Sequence, residues 1–206
     1  KSNITGVYGF IKNFELNAFK LLDQIAPIKD KKAVILTQPQ VFQKSKFEKA
    51  LNKLGIDLKE YKEFKYFENF QKALLKYNKD PEVGWIIADG PITRKDGKEW
   101  NRKDTFHWEH ENIKKPNIAF YQNNVENGAL AGLAVDPMGY VAPSLELCYQ
   151  ILEGNNPKEI EPVYPNKSLI LLNMKAAKQI GVDFPIDVIN ASWKIFTDYE
   201  GTTLGE

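Results

Sequence analysis

The sequence has little of what several classes of protein require. Only one of its 206 residues is a cysteine, Cys148, which excludes an intramolecular disulfide and a metal site built from several cysteines. Lys and Arg total 28 against 27 for Asp and Glu, a net charge of +1. Domains that bind nucleic acids are usually strongly basic. We therefore predict no nucleic-acid partner.

Long hydrophobic runs and nucleotide-binding motifs are also absent. The longest apolar runs, residues 84–88 and 129–135, have the length of a strand, far below the ~20 residues that cross a bilayer. No glycine-rich phosphate-binding loop and no Gly-x-Ser-x-Gly motif occurs. We therefore predict no cofactor and no enzymatic activity. The chain starts at Lys1 rather than at methionine, as expected of a processed or excised protein.

Short apolar segments alternate with segments of helical periodicity. The predicted strands are residues 33–37, 56–66, 84–88, 117–121, 129–135 and 168–172. The predicted helices are residues 42–54, 70–77, 140–153, 174–180 and 185–196, with Asn173 and Gly181 as the caps of the fourth. Residues 90–115 are a long polar stretch, either functional or partly helical, and residues 199–206 are a predicted tail. This alternation predicts an α/β fold with a mainly parallel sheet flanked by helices.

Several short motifs follow one another along the chain in a characteristic order. They are Asn3-Ile-Thr-Gly-Val7, Gly128-Ala-Leu-Ala131, Ala134-Val-Asp136, Ile151-Leu-Glu-Gly154 and Asn173-Met-Lys-Ala-Ala-Lys178. This ordered set resembles the ABC-transporter substrate-binding proteins of the tryptophan/tyrosine-like group, and the similarity covers nearly the whole chain. The resemblance implies a periplasmic-binding-protein-like fold, in which two α/β lobes are joined by three crossing strands and close on a small molecule.

The resemblance also implies a division of the chain. Residues 1–7 are expected to form a hinge crossing and residues 8–136 an α/β ligand-binding lobe. Residues 137–162 would return to the other lobe, and residues 163–206 would form the last crossing and the C-terminal helices. Most of the first lobe is then expected to precede Lys1. A periplasmic or extracytoplasmic location and a membrane permease or receptor partner are implied as well.

Polar residues follow the predicted strands at their carboxyl ends, where open parallel sheets bind ligands. Amides, carboxylates and an aromatic ring suit a small, polar, amino-acid-like solute. We predict a ligand site that contains Thr37, Gln38, Gln40, Asp89, Tyr121, Gln122 and Asp136. Plain turn chemistry is the alternative for Gln38 and Asp89, and a place in the core is the alternative for Tyr121.

Two other functions remain open at this stage. His107, His110 and Glu111 have the spacing of metal ligands on one helix face, in a metal-binding protein or a hydrolase, although a solvent-facing helix is favoured. The stretch from Trp100 to Trp108 is a candidate surface for docking another protein. Cys148, by contrast, is predicted to be a small buried hydrophobic residue of a helix.

Overall fold

The computed structural model of the protein describes residues 4–165 and 167–204. The chain divides into two compact units. The larger one comprises Glu15–Leu133 and Ile170–Glu206, and the smaller one comprises Lys1–Phe14 and Ala134–Leu169. The predicted hinge crossings fall partly on residues 1–3 and 166, which lie outside the described residues, as do residues 205–206 of the predicted tail.

Helices and strands alternate as the sequence predicts. The helices are α1 (Phe14–Ile25), α2 (Lys44–Asn52), α3 (Phe67–Asn78), α4 (Arg102–Asn112), α5 (Gln122–Glu126), α6 (Met138–Leu152), α7 (Met174–Ile180) and α8 (Ile186–Ala191). The strands are β1 (Lys32–Thr37), β2 (Leu58–Glu63), β3 (Val83–Asp89), β4 (Ile118–Ala119), β5 (Ala131–Val135), β6 (Ser168–Asn173) and β7 (Ser192–Phe196). The predicted α/β fold with a mainly parallel sheet flanked by helices is confirmed.

The first sheet, of order β2-β1-β3, is parallel throughout. Its central strand, β1, is buried from its second residue onward, and β3 is buried at all but one position. Burial on both faces explains why these strands are continuously apolar rather than alternating. The edge strand β2 carries the charged sequence Leu-Lys-Glu-Tyr-Lys-Glu and is mostly exposed, which discourages pairing with another chain.

Helices cover both faces of this sheet. Successive strand side chains point to opposite faces, so Val34 and Ile86 pack in one cluster with Phe70 of α3. On the other face, Trp85 of β3 stacks on Phe19 of α1, with 6.2 Å between the ring centroids. Helix α1 was not predicted from the sequence, although its buried residues recur at helical spacing: Phe14, Ala18, Phe19, Leu21, Leu22 and Ile25.

The second sheet has the order β4-β5-β6-β7. The sequence prediction is wrong for residues 192–196, which form strand β7 instead of continuing a helix, because pairing with β6 in parallel outweighs a weak helical preference. The predicted tail is also wrong where it is described. Tyr199 is 4% exposed, and Thr203 pairs with Phe196 in an antiparallel bridge.

Helix α7 begins and ends as the sequence predicts. The side-chain oxygen of Asn173 accepts a hydrogen bond from the Ala176 N–H at 3.0 Å, and Gly181 adopts a left-handed conformation with φ 70°. The Asn173 amide nitrogen also donates to the carbonyls of Val125 at 2.9 Å and Asp198 at 2.8 Å. This single buried side chain therefore joins three segments.

Substitution Asn173→Ala is expected to lower the free energy of unfolding by about 2–3 kcal/mol, because it removes a cap and the two hydrogen bonds that its amide nitrogen donates to the Val125 and Asp198 carbonyls. The matched control is Asn101→Ala, since Asn101 caps α4 from an exposed position through one bond to the Lys103 N–H at 2.8 Å. That change should cost about 1 kcal/mol or less. Equal losses in urea unfolding would refute the structural role assigned to Asn173.

The smaller unit contains α6 and a bridge in which Val7 and Val163 pair in parallel. Large apolar side chains of α6 are exposed: Met138, Val141, Leu145, Tyr149, Ile151 and Leu152. Cys148 is exposed as well, so its predicted burial is wrong here: it lies on a helix of which only Gly139 and Leu147 are buried. No helix in the described part of the chain is long and apolar enough to span a membrane.

Candidate functional site

The carboxyl ends of β1 and β3 lie side by side. Thr37 pairs with Asp89 in the register of the two strands, and the Gln38 N–H donates to the Asp89 carbonyl at 3.0 Å. Thr37 is 0% and Asp89 3% exposed. The parallel pairing therefore brings three of the predicted site residues to one edge of the sheet, because strands of equal direction end together.

A salt bridge holds the Asp89 carboxylate. The guanidinium of Arg102, at the start of α4, donates to it and also to the Gly90 carbonyl, the latter at 2.6 Å. The Gln38 amide is oriented with its oxygen towards the guanidinium, since the opposite orientation would set N–H groups against N–H groups. In this orientation the oxygen accepts from Nη2 at 2.8 Å and from Nη1 at 3.2 Å. Burial raises the pKa of Asp89, and the charge of Arg102 partly offsets that effect.

A second carboxyl group, that of Glu109 in α4, lies behind this edge. It is 0% exposed, and its Oε2 accepts from the Gly90 N–H at 2.9 Å. Its Oε1 is buried without a hydrogen-bond partner. Burial, followed by the charge of Asp89, raises the pKa of Glu109 to about 8. Glu109 is therefore a neutral acid at pH 7.

Two further residues of the predicted site, Tyr121 and Gln122, follow β4, which lies at one end of the second sheet. Tyr121 directly precedes α5 and is 46% exposed, and Gln122 is the first residue of that helix. Burial raises the pKa of Tyr121, and the charge of Asp89 contributes as a second cause. Gln40 is exposed with φ 68°, a left-handed conformation in the loop after β1.

Asp136 belongs to the smaller unit. There its Oδ1 accepts from the Met138 N–H at 3.0 Å, and its Oδ2 forms a salt bridge with Lys167 at 3.2 Å. Asp136 therefore binds the N–H of the first residue of α6 and is charge-paired within its own unit.

The arrangement of the two histidines does not match a metal site. His107 Nε2 lies 2.9 Å from the Tyr199 carbonyl, whereas His110 is 4% exposed, with its Nδ1 3.5 Å from the Asn117 amide. Burial, followed by the charge of His107, lowers the pKa of His110 to about 3. The described residues contain no group of three side chains able to hold a metal ion. The favoured solvent-facing helix is also wrong for His110, because α4 buries it.

The aromatic residues of the long polar stretch pack against the core instead of forming an exposed apolar surface. Trp100 lies 4.5 Å and Trp108 5.3 Å from Phe67, between ring centroids. Both tryptophans are half-buried against the cluster that contains α3. The predicted docking surface is therefore largely an extension of the core.

Arg102 and Glu109 were not singled out from the sequence. Both lie in α4, where charged and polar residues occupy most positions, so no amphipathic pattern distinguishes the buried positions from the solvated ones. The only sequence signal was the unusual length of the connection after β3.

Comparison with known proteins points to one family. The sequence model described as "ABC transporter substrate binding protein" matches residues 2–195. No curated protein matches the sequence at a significant level.

Solved structures share the fold at low sequence identity. An ABC domain from Streptococcus pneumonia in complex with L-Trp has a TM-score of 0.65 at 17% identity and covers 93% of this chain and 64% of its own. A conserved domain protein from Vibrio cholerae gives 0.65 at 19% identity, with coverages of 94% and 62%. A ligand-free, open substrate-binding protein with adhesive properties from Clostridium difficile gives 0.56 at 19%, with coverages of 88% and 59%. The chain spans less than two thirds of each of these structures.

Proposed function

Since the chain belongs to the ABC transporter substrate-binding protein family and has the α/β fold of periplasmic binding proteins, we propose that it binds a small, polar, amino-acid-like solute. The observation that carries this proposal is the convergence of Gln38, Asp89 and Arg102 at the carboxyl edge of the first sheet. Ligands of open parallel sheets bind at that edge. The activity is binding, without chemical change of the solute.

The proposed site residues have different roles according to how exposed their side chains are. The solute contacts are assigned to the exposed or half-buried members of the predicted set, Gln38, Gln40, Tyr121 and Gln122. Thr37 and Asp89 are buried and act from beneath, by fixing Gln38 and by balancing the charge of Arg102. Asp136 is retained as a proposed contact on the family resemblance alone.

The mechanism proposed for the whole protein is closure around a hinge. The chain spans less than two thirds of the related structures, and α6 exposes apolar side chains that a further lobe would cover. We propose that this further lobe supplies the other wall of the binding cleft. Ligand would bridge the two lobes, and a permease or a receptor outside the cytoplasm would recognise the closed form.

A thermal-shift screen tests this function. The chain, and in parallel any longer natural polypeptide that contains it, is screened against amino acids, purines and small carboxylates. Ligand at ~100 times its dissociation constant adds about 2.7 kcal/mol of stability, which raises the unfolding temperature measurably. If no compound stabilises either polypeptide, solute binding is the wrong function.

Variants of the protein, tested for binding of the strongest-binding compound of the screen, then locate the site. Gln38→Ala should weaken binding up to about tenfold, the equivalent of one hydrogen bond. The matched control is Lys29→Ala, because Lys29 is an exposed residue at the opposite, amino-terminal edge of the sheet. Equal affinities of the two variants would place the ligand elsewhere.

A further inference from the structure

The Asp89 carboxylate is nearly withdrawn from solvent, and its charge is balanced from within the chain. Its side chain retains 4% of its exposure, whereas that of Arg102 retains 35%. A buried carboxylate without a counter-ion is strongly destabilising. In a binding site such a carboxylate commonly pairs with a positive group of the ligand, but here the positive group is already part of the protein.

The guanidinium of Arg102 is held on several sides. Of its five N–H groups, those on Nη1 and Nη2 are directed to Asp89, to the Gly90 carbonyl and to the Gln38 oxygen. The central carbon atom of the guanidinium, Cζ, also lies 4.5 Å from the centre of the Phe106 ring, in cation–π contact. These contacts fix Arg102 in one place, so that it does not swing out as a mobile surface charge would.

We propose that Arg102 permanently fills a cation subsite formed by Asp89, so that the group of the ligand seated at this edge is uncharged and hydrogen-bonding rather than an ammonium. The choice of ligand rests on the proposed function; the occupied subsite itself does not. A second cation beside Arg102 meets like-charge repulsion, which disfavours an ammonium at this position.

The neighbouring groups agree with this assignment. Glu109 offers no compensating negative charge, because it is buried with a single hydrogen bond, from the Gly90 N–H, and is neutral at pH 7. With the Gln38 oxygen turned to Arg102, the N–H groups of its amide point away from that guanidinium. A carbonyl, amide or hydroxyl of the ligand is the group that such donors match.

Chemical rescue tests whether Asp89 forms a cation subsite. In Arg102→Ala, methylguanidinium should raise the unfolding temperature, whereas methylurea, which has the same shape without the charge, should not. The matched control is Lys103→Ala, since Lys103 pairs with Glu200 at the exposed surface, and neither compound should stabilise it selectively. If methylurea stabilises Arg102→Ala as well as methylguanidinium does, or if neither stabilises it, the cation subsite is refuted.

A second variant keeps the test decisive if Arg102→Ala folds poorly. The double variant Asp89→Asn/Arg102→Ala no longer carries the unpaired carboxylate, so it should unfold at a higher temperature than Arg102→Ala and lose the response to methylguanidinium. A double variant that is less stable than Arg102→Ala, or that still responds to methylguanidinium, would overturn the assignment.

A comparison of two ligands tests whether Arg102 selects the ligand or only forms a structural salt bridge. L-Glutamine and L-lysine share a head group and end in a neutral amide and in an ammonium on a chain one atom longer. The difference in length is the same for wild type and variant, so it cancels when their affinity ratios are compared. The wild-type protein should favour L-glutamine, and Arg102→Ala should move the ratio of the two dissociation constants towards L-lysine by about tenfold or more. An unchanged ratio would refute the selective role of Arg102. If neither amino acid binds any variant, the result counts against the proposed function, and the rescue experiment alone decides whether Asp89 accepts a cation.

Discussion

The protein is expected to lose stability as the pH rises from 6.5 towards 8, and Glu109→Gln is expected to remove that loss. The pKa of Glu109 is raised from an ordinary 4.5 to about 8 in the folded state. The stabilisation that Glu109 provides is complete below the pKa it has in the unfolded state. It is lost as the pH rises through the pKa it has in the folded state, because between these two values only the folded state keeps the proton. Between pH 6.5 and 8 the loss amounts to roughly 2 kcal/mol.

His110 acts in the opposite direction at lower pH. Its pKa is lowered from 6.5 to about 3, so its contribution is present above pH 6.5 and is lost as the pH falls towards 3. Between pH 4.5 and 6.5 the two groups therefore oppose each other. Above pH 6.5 the contribution of His110 grows by only about 0.4 kcal/mol more, which leaves the fall due to Glu109 clearly measurable.

Urea unfolding at pH 6.5 and pH 8.5 checks this prediction. The quantity to compare is the change between the two pH values, since glutamine introduces buried N–H groups that alter stability at every pH. The matched control is Glu111→Gln, because Glu111 lies on the same helix and is exposed, and this variant should keep the wild-type pH dependence. Identical pH dependence in wild type and Glu109→Gln would mean that Glu109 is not a buried neutral acid.

The second large effect is expected from Trp85→Ala. Trp85 is 0% exposed, stacks on Phe19 and donates from its indole nitrogen to the Ala26 carbonyl at 2.8 Å. Its removal should lower the free energy of unfolding by about 3–5 kcal/mol, through lost burial, a cavity and an unpaired carbonyl. Because Trp85 joins β3 to α1, the loss also loosens the strand that ends in Asp89.

The control for this variant is another tryptophan on a strand. Trp193 of β7 is 49% exposed, and Trp193→Ala should change stability by less than about 1 kcal/mol. Chemical denaturation of both variants gives the comparison. Losses of similar size would contradict the assignment of Trp85 to the core between β3 and α1.

The apolar strands of the first sheet were predictable because burial on both faces leaves a continuous run of apolar residues. The predicted ends of β1 and β3 placed Thr37, Gln38 and Asp89 at the carboxyl edge of the sheet. The rule that ligands bind at this edge then selected them as site residues. Helix α1 was predictable in principle, since Phe14, Ala18, Leu22 and Ile25 have helical spacing. Strand β7 was not, because residues 192–196 are short and their pairing with β6 is non-local.

The partners of Asp89 lay beyond sequence reasoning for a different reason. In α4 almost every residue is polar, so the sequence does not reveal that Arg102 faces the strand end or that Glu109 and His110 are buried. Those facts depend on how the helix is rotated against the sheet. The arrangement at this edge, a paired carboxylate beside a neutral carboxylic acid, is therefore a property of tertiary packing.

Hydrogen exchange with and without the strongest-binding solute of the thermal-shift screen tests the central claim, that the carboxyl edge of the first sheet binds the ligand. The predicted result is slower exchange in residues 37–40 and 89–91 at this edge and in residues 121–123 after β4 of the second sheet, with no change in residues 28–32 and 82–84 at the opposite edge. Slower exchange confined to the opposite edge, or unchanged exchange in all three segments despite bound solute, would contradict the account.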